Sequence, residues 1–96
     1  MATKKKPELA DYKETVNAIL IEELGIQNDE DLIPSLEIKD LNPDPDDLIY
    51  IVVRLEDDLQ IVFPDSAEEN FKTIQDIYSC VDRLMSKRTA TVKNLL

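Results

Sequence analysis

The sequence has 96 residues, 43% of them apolar, and a formal net charge of −10 at pH 7, with no histidine and one cysteine. This length allows one compact core but no deep multi-lobed cleft, and the missing histidine excludes a Ser-His-Asp triad, a Cys-His pair and a histidine-ligated zinc site. A chain this acidic is a poor ligand for nucleic acids, whose phosphates are bound by Lys and Arg, so a basic protein surface is the favoured partner.

The remaining exclusions concern the class of protein and its location. No two acids are paired in an evident pocket and the lone thiol has no histidine to activate it, so we expect a protein that is not an enzyme. The segment from Asn42 resembles the opening of a calcium loop, but Asp47 and Val53 stand where that loop needs Gly and Glu, so we expect no metal site, and weak divalent-cation binding to the acidic cluster stays open. The chain has no apolar run near 18 residues and no signal-peptide layout. We therefore expect a cytoplasmic protein without a membrane span.

The first half of the chain predicts one helix and one long connection. Residues 1–7 are polar and basic, and we expect them to be a disordered tail. Residues 8–24 carry apolar side chains at helical spacing, and Gly25 follows as a stop signal. Residues 26–43 hold two prolines but also several apolar side chains, so this connection is expected to fold over the core.

The second half predicts two further helices and one short one. A helix starts with Asp44 as its N-cap and Pro45 at its first position, and its inward stripe consists of Leu48, Ile51, Val52, Leu55 and Leu59. Residues 65–70 form a brief helix capped by Asp65 or Ser66, and the last helix runs from about Thr73 to Ser86. The prediction is an all-α, monomeric bundle of three long helices and one short helix, with its domain at 8–86 and a polar basic tail at 87–96.

The acidic residues are concentrated in the middle of the chain. Residues 28–70 contain fourteen of the twenty-one acids, opposed by Lys39 and Arg54 alone. Clustered like charge repels itself, which favours a docking surface over a merely solvated face, although both interpretations stay open.

Four blocks in order carry a family resemblance. They are "ILIEELGI" at the end of the first helix, "SLEIKDL" at 35–41, "LEDDLQIVFPD" at 55–65 and "TIQDIYSCV" at 73–81. Together they resemble the acyl carrier protein family over residues 10–85. In that family a serine in an Asp-Ser-Leu motif, at the start of the second helix, carries 4′-phosphopantetheine. The equivalent residues here are Asp44, Pro45 and Asp46.

The resemblance implies a role without chemistry at that position. Proline has no hydroxyl, so we expect no pantetheinylation and no cofactor. We expect instead that the second helix docks onto a basic surface of a partner in a lipid or polyketide pathway, such as fatty acid biosynthesis, through Asp44, Asp47, Glu56, Asp57 and Asp58. Arg54, a departure from the family on the same helix, is expected to affect the choice of partner. The alternative is a working carrier that binds a fatty acyl chain non-covalently or uses an atypical serine, with Ser66, Ser35 and Ser79 as weak candidates.

Overall fold

Three α-helices make up most of the described part of the chain. The computed structural model describes the backbone of residues 9–95 and the side chains of residues 12–87. Helix α1 spans Leu9–Leu24, α2 spans Pro45–Leu59 and α3 spans Ile74–Leu95. No strand lies between residues 9 and 95, so the predicted all-α class is confirmed. The predicted disordered tail at 1–7 lies outside the described residues.

Two details differ from the predicted elements. The short fourth helix is a 3₁₀ turn at Ala67–Asn70. Ser66, one of the two predicted caps, is its N-cap residue, but the Ser66 side chain makes no capping hydrogen bond. Helix α3 continues past Ser86 to Leu95. Residues 87–95 contain no Gly or Pro that would stop a helix. The prediction ended the helix at Ser86 because the apolar pattern fades there, although no stop signal follows. The domain boundary at residue 86 stays a prediction.

The core lies where the three helices meet. Leu55 of α2 and Ile77 of α3 are fully buried, and α2 turns the predicted residues Ile51, Leu55 and Leu59 inward. The eight largest fully buried side chains come from all three helices and are Val16, Ile19, Leu20, Ile51, Leu55, Ile74, Ile77 and Val81. After α2, the rings of Phe63 and Phe71 close one end of the core edge to face, with centroids 6.1 Å apart.

The long connection between α1 and α2 is held against the start of α3, as its apolar content predicted. It contains two 3₁₀ turns, Asp29–Asp31 and Ile38–Leu41. The Ile38 N–H donates to the carbonyl of Lys72 at 2.9 Å, and the Ile74 N–H donates to the carbonyl of Leu36 at 3.1 Å. Ile38 is buried, so the connection contributes to the core.

Two tyrosines join α1 to α3 by hydrogen bonds. The Tyr12 hydroxyl donates to the Asp82 carboxylate, and the Tyr78 hydroxyl donates to the Asn17 side-chain oxygen, both at 2.6 Å. Burial, followed by the hydrogen bond to Asp82, raises the pKa of Tyr12 above its usual value, and burial raises the pKa of Tyr78. Both phenols therefore stay neutral donors. Within residues 9–95, no helix combines the length and apolar character needed to cross a membrane.

Candidate functional site

The start of α2 is a well-formed helix N-terminus. Asp44 is the N-cap and Pro45 occupies the first helical position, where its missing N–H leaves no helical hydrogen bond unmade. The Asp44 N–H donates to the Asp47 carboxylate at 3.0 Å, and the Asp47 N–H donates to the Asp44 carbonyl at 2.9 Å. The carboxylate of Asp47 therefore supports the helix end and is not a free surface charge.

Residues 44–46 do not fit the group that the family resemblance implies at this place. Attachment of 4′-phosphopantetheine needs a hydroxyl oxygen. Pro45 is exposed but has no hydroxyl, and the side chains of Asp44 and Asp46 on either side are carboxylates. The serines weighed as atypical sites lie in other elements. Ser66 precedes the 3₁₀ turn with a left-handed φ of 61°, and the Ser79 hydroxyl on α3 accepts a hydrogen bond from the Gln75 side chain at 2.9 Å.

Glu56, predicted to contact a partner, has an internal hydrogen bond. Its carboxylate Oε2 accepts the N–H of Phe63 at 2.8 Å, in a half-buried position. This bond ties the end of α2 to the segment that leads Phe63 into the core. The acceptor role satisfies a backbone N–H that lies outside any helix.

The five predicted docking acids do not share one face of α2. Asp57 lies opposite the buried stripe, while Asp47 and Asp58 are eleven positions apart and therefore lie on one side of the helix. Glu56 faces the segment after α2. Asp44, Asp57 and Asp58 are exposed, whereas Asp47 and Glu56 are half-buried. The docking role of these residues stays a prediction.

Arg54 points towards α1. Its Nη1 lies 2.7 Å from the Glu22 carboxylate and 3.1 Å from that of Glu23, and its side chain is 37% exposed. The hydrogen bond to Glu22, followed by the weaker effect of the hydrogen bond to Glu23, raises the pKa of Arg54 above its ordinary value. The guanidinium therefore stays charged. Arg54 thus joins α2 to α1 by ion pairs with Glu22 and Glu23, which the sequence did not predict.

The outward face of α2 carries an exposed apolar stripe that sequence reasoning missed. Ile49, Tyr50 and Val53 are 44%, 52% and 54% exposed. They lie between the exposed acids Asp46 and Asp57, and the successive steps from Asp46 to Asp57 are three, one, three and four residues, which keeps all five on one side of the helix. The sequence does contain a signal for this exposed stripe, because Ile49 and Val53 are apolar residues at helical spacing that do not belong to the inward stripe.

A groove opens beside the start of α2. Its volume is about 600 Å³, and it is bordered by Lys39 and Lys72. Lys39 is also paired with Glu37 at 3.4 Å. The apolar wall consists of Ile38, Pro43, Leu48 and Phe71. Among the described side chains no group of three or more Cys, Asp or Glu residues is arranged to hold a metal ion.

The proteins of known name that match this chain in the comparison share one name. No protein-family model matches the chain. An acyl carrier protein of Helicobacter hepaticus is 33% identical over 72 residues, which are 75% of this chain and 95% of the relative. Acyl carrier proteins of Bdellovibrio bacteriovorus and Campylobacter jejuni are 31% and 33% identical, covering 71% and 72% of this chain and 87% and 90% of their own lengths.

These relatives correct one prediction and decide the family. Acyl carrier proteins normally carry 4′-phosphopantetheine, so the prediction of no cofactor is wrong, even though Pro45 offers no attachment oxygen. Their name describes carriers and not enzymes, which is compatible with the expectation of a protein without catalytic activity. With three helices in the expected order and relatives that match most of its length, the chain belongs to the acyl carrier protein family.

Proposed function

We propose that this protein works by docking its acidic α2 surface onto a basic surface of a partner protein in a lipid or polyketide pathway. The observation that carries the proposal is a set of exposed acids at the start and at the end of α2, within a segment that has fourteen acids and two bases; they are Asp44, Asp46, Asp57 and Asp58. One of the two bases, Arg54, is engaged by Glu22 and Glu23 and does not neutralise these acids. In the family, the second helix meets basic patches of partner enzymes through this region.

The docking surface works without a phosphodiester at residue 45. Pro45 serves as the first residue of α2, and the helix start that it completes holds Asp44 and Asp46 exposed. Clustered carboxylates accelerate and orient encounter with a basic partner, so the charge matters even where each exposed ion pair contributes little affinity.

Rebuilding the attachment motif tests this proposal. The double variant Pro45→Ser, Asp46→Leu restores Asp-Ser-Leu at the start of α2, and Asp46→Leu alone is the matched control. Loss of one acid from the first turn removes about 0.3–1 kcal/mol of helix-dipole stabilisation, so the fold should survive. Incubation with coenzyme A and a promiscuous phosphopantetheinyl transferase, which in this family reads the acidic second helix, should modify the double variant at residue 45.

Mass spectrometry of intact and digested protein gives the result. We expect one added phosphopantetheine on the double variant and none on residues 44–46 of the control or the wild type. A folded double variant that stays unmodified would contradict the proposal that α2 still presents a readable docking surface. A group mapped to Ser35, Ser66 or Ser79 of the wild type would instead support the alternative of a carrier with an atypical serine.

The groove supports a second candidate function, non-covalent binding of a fatty acyl chain. Apolar walls suit the chain and Lys72 suits a carboxylate head, while Lys39 is paired with Glu37, which also lines the groove. Calorimetry with decanoate tests it, using the double variant Lys39→Glu, Lys72→Glu. Binding by the wild type and its loss in the variant are expected, and absence of decanoate binding by the wild type would refute this candidate.

A further inference from the structure

We infer that one end of the bundle binds the surface of an anionic lipid bilayer. Two segments form this end, which we call the basic end: the continuation of α3 at residues 87–95, with Lys87, Arg88 and Lys93, and the three lysines at residues 4–6 before α1. Both segments lie outside residues 10–85, over which the chain resembles the family. The inference is therefore independent of docking through α2.

The opposite directions of α1 and α3 bring the two basic segments together. Tyr12 near the start of α1 bonds to Asp82 of α3, whereas Asn17, further along α1, bonds to the earlier residue Tyr78 of α3. The start of α1 therefore lies beside the later part of α3. The chain from residue 4 to Leu9 spans at most about 17 Å, so the lysines at 4–6 stay close to this end.

Most of the acids lie towards the other end of the bundle. Residues 28–70, with fourteen of the twenty-one acids, lead from the end of α1 to the start of α3. The hydrogen bond from the Ile38 N–H to the Lys72 carbonyl holds this segment beside the start of α3. Arg54 ties α2 to Glu22 near the end of α1. The protein is thus electrically asymmetric, although its net charge is −10.

Helix α3 extends beyond the described part of α1. After Asp82 it continues for thirteen residues to Leu95, or about 20 Å, whereas three described residues of α1, or about 4.5 Å, precede Tyr12. The last stretch of α3, roughly 15 Å long, therefore lies past the start of Leu9–Leu24. The Debye length is about 8 Å at physiological salt, so repulsion between the acidic segment and an anionic bilayer is largely screened at this distance.

The residue types of the basic end favour a bilayer over a nucleic acid. Residues 87–96 contain no acid, and Val92 and Leu95 follow the buried Met85 at helical steps of seven and three residues. A bilayer surface accommodates apolar residues in its headgroup region and basic residues against its phosphates, whereas nucleic acid phosphates engage the bases alone. The basic end has six Lys and Arg residues, within the range of roughly four to eight that is typical of segments that bind anionic lipids.

Sedimentation of the full chain with lipid vesicles tests the inference. One set of vesicles is phosphatidylcholine with about one third phosphatidylglycerol, and the other is phosphatidylcholine alone. The charge variant is Lys87→Gln, Lys93→Gln. Its matched control is Gln27→Glu, Asn28→Asp, which gives the same net charge by changing two exposed residues just after α1.

Two further variants separate the contributions within the basic end. Lys4→Gln, Lys5→Gln, Lys6→Gln neutralises the segment before α1, and Val92→Ser removes an apolar residue from the continuation of α3. Circular dichroism verifies that each variant is folded. A DNA duplex is the competing polyanion, and sedimentation without vesicles reports self-association.

The wild type should bind the anionic vesicles at low salt and should not bind phosphatidylcholine alone. Neutralising Lys87 and Lys93 should weaken binding roughly thirtyfold, because each base near an anionic bilayer contributes about fivefold, and the matched control should stay within about twofold of the wild type. The variant of the three lysines should also weaken binding. Val92→Ser should weaken it severalfold, because binding to a bilayer surface scales with the apolar area that is buried.

Four outcomes would overturn the inference. The first is a wild type that does not bind anionic vesicles at low salt, and the second is equal weakening by the charge variant and its matched control. The third is tighter binding of the DNA duplex than of the vesicles. The fourth is self-association that the charge variant abolishes, which would assign the basic end to the acidic segment of a second copy. The transferase assay of the docking proposal contains no lipid, so its outcome is separate from all four.

Discussion

Replacing Glu56 separates an internal role of this carboxylate from a docking role. In the structure Glu56 Oε2 accepts the Phe63 N–H at 2.8 Å. A hydrogen bond to a charged group contributes about 1.5–3 kcal/mol and a neutral one about 0.5–1.5 kcal/mol. Glu56→Gln keeps an acceptor oxygen but loses the charge, so it should lower the free energy of unfolding by about 1 kcal/mol.

Removal of the whole side chain should have a larger effect. Glu56→Ala leaves the Phe63 N–H without its acceptor and should lower the free energy of unfolding by about 1.5–3 kcal/mol. For a domain of this size each kcal/mol corresponds to roughly 4–8 °C in melting temperature. Urea and thermal unfolding, followed by circular dichroism at the helical band, measure both quantities.

The control accounts for the change in charge. Glu69→Gln removes the same charge from an exposed glutamate in the Ala67–Asn70 turn. Any relief of repulsion among the acids appears in Glu69→Gln, and the difference between the two variants reports the hydrogen bond. A variant pair with equal stability would refute the assignment of Glu56 to the Phe63 N–H. If Glu56→Gln left the stability unchanged but slowed modification of the Pro45→Ser, Asp46→Leu variant by the transferase, the docking role predicted from the sequence would be supported instead.

Two further predictions concern pH and salt. Hydrogen bonds from the N–H groups of Thr73 and Lys72 hold the pKa of Asp76 below its ordinary value. The ionised Asp76 side chain therefore stabilises the fold at pH values above its unfolded pKa of about 4. This stabilisation is lost as the pH falls through the lower pKa of the folded state. Urea unfolding of Asp76→Asn should therefore show a shallower loss of stability than the wild type between roughly pH 5 and pH 2, and parallel curves would contradict this. Residues 28–70 carry fourteen acids and two bases, so their charges repel one another and ions should screen that repulsion. The melting temperature should therefore rise from low salt to about 0.15 M salt, and rise again with millimolar magnesium. A flat or falling melting temperature would show that the repulsion is unimportant.

Local patterns predicted the helices well where both the apolar period and a terminal signal were present. Gly25 follows α1 with a φ of 70°, the left-handed geometry that glycine adopts without strain. The inward positions of α2, such as Ile51 and Leu55, follow from their spacing. The end of α3 was predicted too early because the apolar period fades after Ser86, although nothing in the later residues terminates a helix.

The contacts of the charged residues on α2 could not be predicted in the same way. Glu56 bonds to Phe63 across the end of its helix, and Arg54 bonds to Glu22, which is 32 residues away in the chain. Helical spacing predicts neither contact, because Phe63 lies beyond the end of α2 and Glu22 lies on another helix. Which acids of α2 stay free for a partner is therefore a property of the packing.

The sequence by itself determined the helical class, the order of the helices, the acidic middle of the chain and the missing hydroxyl at Pro45, because these follow from residue identity and local spacing. Tertiary structure alone decided that Glu56 and Arg54 have internal partners, and that Tyr50 and Val53 lie on the outward face of α2. The physical reason is that hydrogen-bond partners and exposure depend on which segments meet in space, and that information is distributed over the whole chain.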